Sequence, residues 1–139
     1  MARRQGWLGE PMKLVAEISA GELIDKITIL EIKLDRIGDK AKRANIAREY
    51  AALTVVWNGE IGETEDLVRL RGELKAVNAK LWNIEDEIRA QEKAGTFGAE
   101  FIALARAVYH TNDSRAALKR EINRRTQSDL VEEKSYQAY

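Results

Sequence analysis

The sequence predicts an all-α protein, an elongated antiparallel helical hairpin or coiled-coil bundle with flanking shorter helices. Three observations predict it. Proline occurs once in 139 residues while Ala, Leu, Glu, Lys and Arg are abundant, which favours helix over sheet. Apolar residues recur at spacings of three and four along most of the chain. One run, "LVRLRGELKAVNAKLWNIEDEI", keeps a heptad rhythm at Leu67, Leu70, Leu74, Val77, Leu81, Ile84 and Ile88.

The first helix is expected from Glu22 towards Ile37, where Leu23, Ile27, Leu30, Leu34 and Ile37 share one face and Gly38 ends the run. Ser19 and Glu22 fit the S-x-x-E capping box, with Ile18 and Leu23 placed as a hydrophobic staple. Ile24, Ile29 and Ile32 lie off the main stripe, so this helix is apolar on a second side. It is either central in a bundle or part of a subunit interface.

A second helix is expected over 39–57, capped by Asp39, with Ile46, Tyr50, Leu53 and Trp57 in phase. The stretch "WNGEIGETED" reads as an exposed loop. The heptad run then predicts a helix from about Thr64 to Lys93, on the order of 45 Å long at 1.5 Å per residue. Burying its seven seam residues at about 1.5–3 kcal/mol each would supply roughly 10–20 kcal/mol before chain entropy is subtracted. After "KAGTFG", the last long helix carries Phe97, Phe101, Leu104, Val108, Leu118 and Ile122 on one seam, interrupted by Thr111 and Arg115. The tail "SDLVEEKSYQAY" holds a possible Asp129–Glu132 capping box and suits either a short helix or an extended arm.

Composition restricts function. The 23 basic residues balance 23 acidic ones, so no global field recruits nucleic acid or an anionic membrane. The absence of cysteine removes disulfides, thiol nucleophiles and thiolate metal sites, and one histidine removes most zinc arrangements. No stretch reads as a signal peptide or a membrane span, and a cytoplasmic protein is expected. Residues 1–12 read as a flexible leader and 13–139 as a single helical domain.

Two regions offer chemistry. Asp25 and Lys26 follow the capping residues at the front of the first helix, where an anion suits the helix dipole. In "YHTNDSRAALKREINRR", either Asn112 or Asp113 caps a fresh helix after a kink, or the helix runs on and buries Thr111 and Arg115. A buried arginine requires a carboxylate opposite it, as a structural polar layer or as part of an anion site. Lys119, Arg120, Arg124 and Arg125 make the end of this helix basic, as its dipole prefers or as an acidic partner would require. Glu85, Asp86 and Glu87 invite a metal reading, but Glu85 and Arg89 form an ordinary i,i+4 pair on a solvated face. No metal and no cofactor is expected.

Three segments carry a resemblance: "ISAGELIDKITILEIKLDRI", "LWNIEDEIRAQE" with "FIALARAVYHTNDSRAALKREIN", and "LVEEKSYQAY". Together, over about residues 17–139, they resemble a family of short helical proteins of unknown function encoded by bacteria and some of their phages. The resemblance implies an all-α fold and carries no catalytic residue onto any position.

The expected role is a non-catalytic oligomerisation or accessory protein that presents a polar surface to a partner, self-associating through the second apolar face of the first helix. The partner is a protein or a small anionic ligand, with neither nucleic acid nor membrane involved. The alternative is a small all-helical enzyme acting on a phosphorylated or carboxylated metabolite, like a nucleotide pyrophosphohydrolase or a mutase. It requires Asp25, Lys26, Glu85, Arg89, Asp113 and Arg115 to converge in one cleft. The ligand-binding candidates are these six with Asn112, Lys119 and Arg120.

Overall fold

A computed structural model describes Gly9 and residues 11–139. The leader expected over 1–12 falls, apart from Gly9, Pro11 and Met12, outside the described residues. The described chain forms four helices and no strand: α1 (Ala20–Arg36), α2 (Lys40–Glu60), α3 (Glu65–Ala94) and α4 (Ala99–Thr126).

Each helix begins and ends for a local reason. The Ser19 hydroxyl accepts from the Glu22 amide at 3.1 Å, so α1 is helical from Ala20, two residues earlier than the apolar pattern indicates. The reciprocal half of the capping box gives way to a tertiary bond, because the Glu22 carboxylate accepts from Lys119 Nζ at 2.6 Å. α1 stops at Arg36, before Gly38. Its free carbonyls are taken by Arg43 of α2, which donates to Leu34 and, at 2.8 Å, to Ile37.

Asp39 caps α2 by accepting from the Lys42 amide at 2.9 Å. α2 runs three residues past Trp57, and the expected loop contracts to residues 61–64. Trp57 is 1% exposed and holds the last turns of α2 against the core, while Thr64 already caps α3 by accepting from Leu67 N at 3.2 Å. α3 ends at Gly95, whose φ of 70° suits a residue without a Cβ. α4 passes through Thr111 and Arg115 without interruption, so this region is a buried polar layer and not a kink. After Gln127 the chain has no regular structure, and the Asp129–Glu132 capping box does not form.

Among the described elements α1 packs on each of the other three helices, whereas the backbone of α2 runs close to that of α1 only. Leu23, Ile24 and Ile27 meet Trp57 of α2, Leu67, Leu70 and Leu74 of α3, and Ile122 of α4 in one cluster. Of the second apolar face of α1, Ile24 and Ile32 are buried by the chain's own helices, whereas Ile29 is half-buried. Along the heptad seam Leu67, Leu70, Leu74 and Ile84 are buried, but Val77, Leu81 and Ile88 are half-buried. Asp66 pairs with Arg125 at 2.5 Å across the α3–α4 contact, which with the short 95–98 connection sets these helices antiparallel.

Gly21 decides how closely α1 approaches α4. A Cβ there would lie 2.5 Å from the Lys119 carbonyl oxygen and 2.9 Å from Asn123 Oδ1. The bare backbone instead donates Gly21 N to Asn123 Oδ1 at 2.7 Å. This contact brings the front of α1, with Glu22 and Asp25, against the polar stretch of α4.

Candidate functional site

Asp25 is 1% exposed, and both of its oxygens are occupied. Arg115 donates Nε to Oδ1 at 2.9 Å and Nη2 to Oδ2 at 2.5 Å, the two-point fork by which guanidinium recognises carboxylate. Asn78 of α3 donates Nδ2 to Asp25 Oδ1 at 2.9 Å and to Thr28 Oγ1 at 3.1 Å. Thr28 in turn donates to the Asp25 carbonyl at 2.8 Å. Burial alone would push the Asp25 carboxyl up, but the bonds from Arg115 and Asn78 outweigh it and hold it below its ordinary value. The buried acid is therefore a fixed anion that positions Arg115.

One turn along α4, Lys119 Nζ donates to Glu22 at 2.6 Å and to Glu132 at 2.7 Å. Burial disfavours its charge, yet the two carboxylates more than compensate and raise its affinity for the proton. Glu132 lies in the C-terminal arm, so Lys119 ties that arm to α1 and α4. Further anchors hold the arm: Ser128 Oγ accepts from Ala20 N at 3.2 Å, and Tyr139 donates its hydroxyl to Asp113. The Tyr139 ring meets Tyr109 at 5.1 Å and His110 at 4.8 Å between centroids.

Two grooves meet at Arg115. One, of about 470 Å³, lies among α1, α3 and α4, with Ile29, Trp82, Glu85, Arg89, Asn112 and Arg115 in its walls. The other, of about 640 Å³, lies between α4 and the C-terminal arm. α4 supplies Tyr109, Asn112, Asp113 and Arg115, and the arm supplies Lys134, Tyr136, Gln137 and Tyr139. Arg115 keeps about a third of its side chain exposed (30%), and its Nη1 is not used on Asp25. Arg115 therefore lines both grooves with one guanidinium nitrogen, Nη1, that Asp25 does not take.

The nine expected site residues divide accordingly. Glu85, Arg89, Asn112 and Arg115 share the first groove, and Asn112, Asp113 and Arg115 share the second. Asp25 lies beneath Arg115, and Lys119 beside it as the anchor of the arm. Lys26 and Arg120 are not brought into either groove: Lys26 pairs with Glu22 at 3.7 Å, and Arg120 is exposed. The basic end of α4 is largely neutralised within the chain, because Arg124 and Arg125 share Glu121 and Arg125 also holds Asp66. Among the described residues no group of three or more His, Asp or Glu is placed to hold a metal ion, and no helix is long and apolar enough to cross a membrane.

Sequence reasoning overlooked Asn78, Thr28 and the arm's Glu132, Lys134 and Tyr136. Asn78 left a signal: it lies four residues after Leu74, on the edge of the seam, where an amide has to be paired to be buried. The arm left none, because its bonds to α4 join residues that no periodicity relates.

Residues 12–139 match the model of a family described as a family of unknown function, DUF6165. Neither the curated proteins nor the solved structures give a match to this chain.

Proposed function

We propose that this chain, which belongs to the DUF6165 family of unknown function, is a non-catalytic accessory protein that presents its Arg115 grooves to a small ligand carrying a carboxylate or phosphate. The observation that carries this reading is the posture of Arg115. A buried anion held by an amide fixes its fork, and the residue lines two grooves with its third nitrogen unused by Asp25. Preorganised donors of this kind favour anion recognition, because little side-chain freedom remains to be lost on binding. The groove under the arm supports the same chemistry. Its one carboxylate side chain, Asp113, already accepts from Tyr139, while Lys134, which also pairs with Glu132 at 3.9 Å, adds a second cation. Its volume of about 640 Å³ lies in the usual range for small-molecule sites.

Catalysis is the weaker reading on the same geometry. Asp25 is buried with both oxygens engaged, so no substrate reaches it as a base. The other residues that an enzyme would require are split between two grooves, with Lys26 in neither.

Calorimetric titration with inorganic phosphate and a panel of phosphorylated and carboxylated metabolites tests the proposal. Arg115→Lys keeps a charge for Asp25 but loses the fork and Nη1, and it should weaken binding about tenfold while the helical circular dichroism is retained. Failure of every panel member to bind, or equal binding by Arg115→Lys, would sink the binding reading. Turnover of any panel member would overturn the non-catalytic one.

A further inference from the structure

The groove under the C-terminal arm is walled by aromatic rings. Among the described residues Val108 is its single aliphatic side chain, and Tyr109 of α4 faces it together with Tyr136 and Tyr139 of the arm. Tyr139 meets Tyr109 edge-on at 5.1 Å between centroids, so two of the rings already form one cluster. Tyr136 is 78% exposed, meets no other ring and makes no side-chain hydrogen bond among the described residues. Its ring is a contact surface that the chain itself does not use. Polar groups on the same walls are also unspent. Asn112 lies three residues from both Tyr109 and Arg115 on one side of α4, and its amide makes no hydrogen bond among the described residues. Arg115 brings Nη1, which Asp25 does not take, and Lys134 pairs only loosely with Glu132, at 3.9 Å.

We propose that this groove takes an anion joined to an aromatic ring, with the anion on Arg115 and Lys134 and the ring against the tyrosines. The inference rests on the anion reading of Arg115 and adds what the anion is attached to. Aliphatic walls accept any apolar group, whereas a cluster of rings favours another ring, by offset stacking or edge-to-face contact. Along α4 the cation and the first ring, Arg115 and Tyr109, are about 9 Å apart at 1.5 Å per residue, with the Asn112 amide between them. Two long side chains reaching towards each other shorten that gap to the span of one small ligand. The volume of about 640 Å³ leaves room for a ring and its anion together. Because Tyr109 belongs to α4 and Tyr136 to the arm, such a ring is met from both walls.

Calorimetric titration of the full chain with phenyl phosphate and with methyl phosphate, alike in charge and different in the ring, tests it. Phenyl phosphate should bind about tenfold more tightly. Tyr136→Ala should remove most of that advantage and leave methyl phosphate unchanged, while Tyr136→Phe should keep it. Tyr136 is exposed, so its truncation leaves the fold in place. Arg115→Lys should weaken both ligands alike. Equal affinities that still fall with Arg115→Lys would overturn the ring and leave the anion reading standing. Binding of neither ligand would overturn both. A preference for phenyl phosphate that Tyr136→Ala does not move would put the ring outside this groove and overturn the proposal as well.

Discussion

Asp25 and Arg115, 90 positions apart in the chain, meet through a two-point fork of 2.9 and 2.5 Å, with the carboxylate buried and the guanidinium a third exposed. The asymmetry of exposure predicts an asymmetry of substitution. Arg115→Met strands a buried carboxylate and should cost about 3–5 kcal/mol. Asp25→Ala leaves Arg115 able to turn towards water, and it should cost less. Urea unfolding of both variants and of the double variant measures the coupling; equal losses for the two single variants would contradict the arrangement.

The same pair sets a dependence on acid. The folded-state value of Asp25 lies below the 3.8 of the unfolded chain, so its contribution is fully present above that value. It is lost as pH falls through the lower folded value. Wild-type stability should therefore drop below about pH 4 more steeply than that of Asp25→Asn, which has no proton to take up at this position. Parallel curves for the two proteins would show that Asp25 is not held ionised.

This layer shows how far the sequence could be read. Arg115 on an apolar seam demanded a carboxylate opposite it, and the chain supplies one. Periodicity gives the face on which a residue lies, however, and not the residue it meets, so Asp25 and Arg115 were both candidates without being recognised as partners. Ser19 and Asp39 were legible as helix caps because capping is a bond within one turn, whereas the start near Thr64 was read from the heptad run. The end of α2 was misjudged because Asn58 and Gly59 read as a loop, whereas the burial of Trp57 holds those residues in the helix. The surplus isoleucines of α1 posed a question that needed three dimensions: Ile24 and Ile32 face neighbours from the same chain.

Glycine substitutions separate close approach from helix propensity. Gly21→Ala would bring a methyl against the Lys119 carbonyl and should cost about 1–3 kcal/mol as α1 and α4 are forced apart. Gly72, in the middle of α3, has nothing within 4 Å of an added Cβ, so Gly72→Ala should stabilise by about 0.5–1 kcal/mol. Thermal melts should move in opposite directions; a shift of the same sign in both would count against the α1–α4 contact.

Core substitutions should report the uneven burial of the α3 and α4 seams. Leu74 is wholly buried, and Leu74→Ala should cost about 2–5 kcal/mol. Phe97 is 55% exposed before α4, and Phe97→Ala should change stability by less than about 0.5 kcal/mol. Similar losses at the two positions, measured by denaturant unfolding, would mean that the seam of α4 is as deeply buried at its start as the α3 seam is at Leu74.

Lys119 should control the C-terminal arm. The segment from 129 to 139 is exposed throughout, so its order depends on a few bonds, among them Ser128 Oγ to the Leu130 carbonyl at 2.8 Å and the Glu132 carboxylate on Lys119. Glu132→Gln should free the arm without loss of helix, and trypsin should then cut after Lys134 faster than in the wild type. Raising the pH should act through Lys119 itself. Its folded-state value lies above the 10.5 of the unfolded chain, so its contribution is present below 10.5 and disappears as pH rises through the folded value. Lys119→Met should cut faster at neutral pH already, because it removes the cation that holds Glu132 and Glu22 together. If cleavage after Lys134 proceeds at the wild-type rate in both variants, the arm is held by its tyrosine contacts, and the groove beneath it does not depend on Lys119.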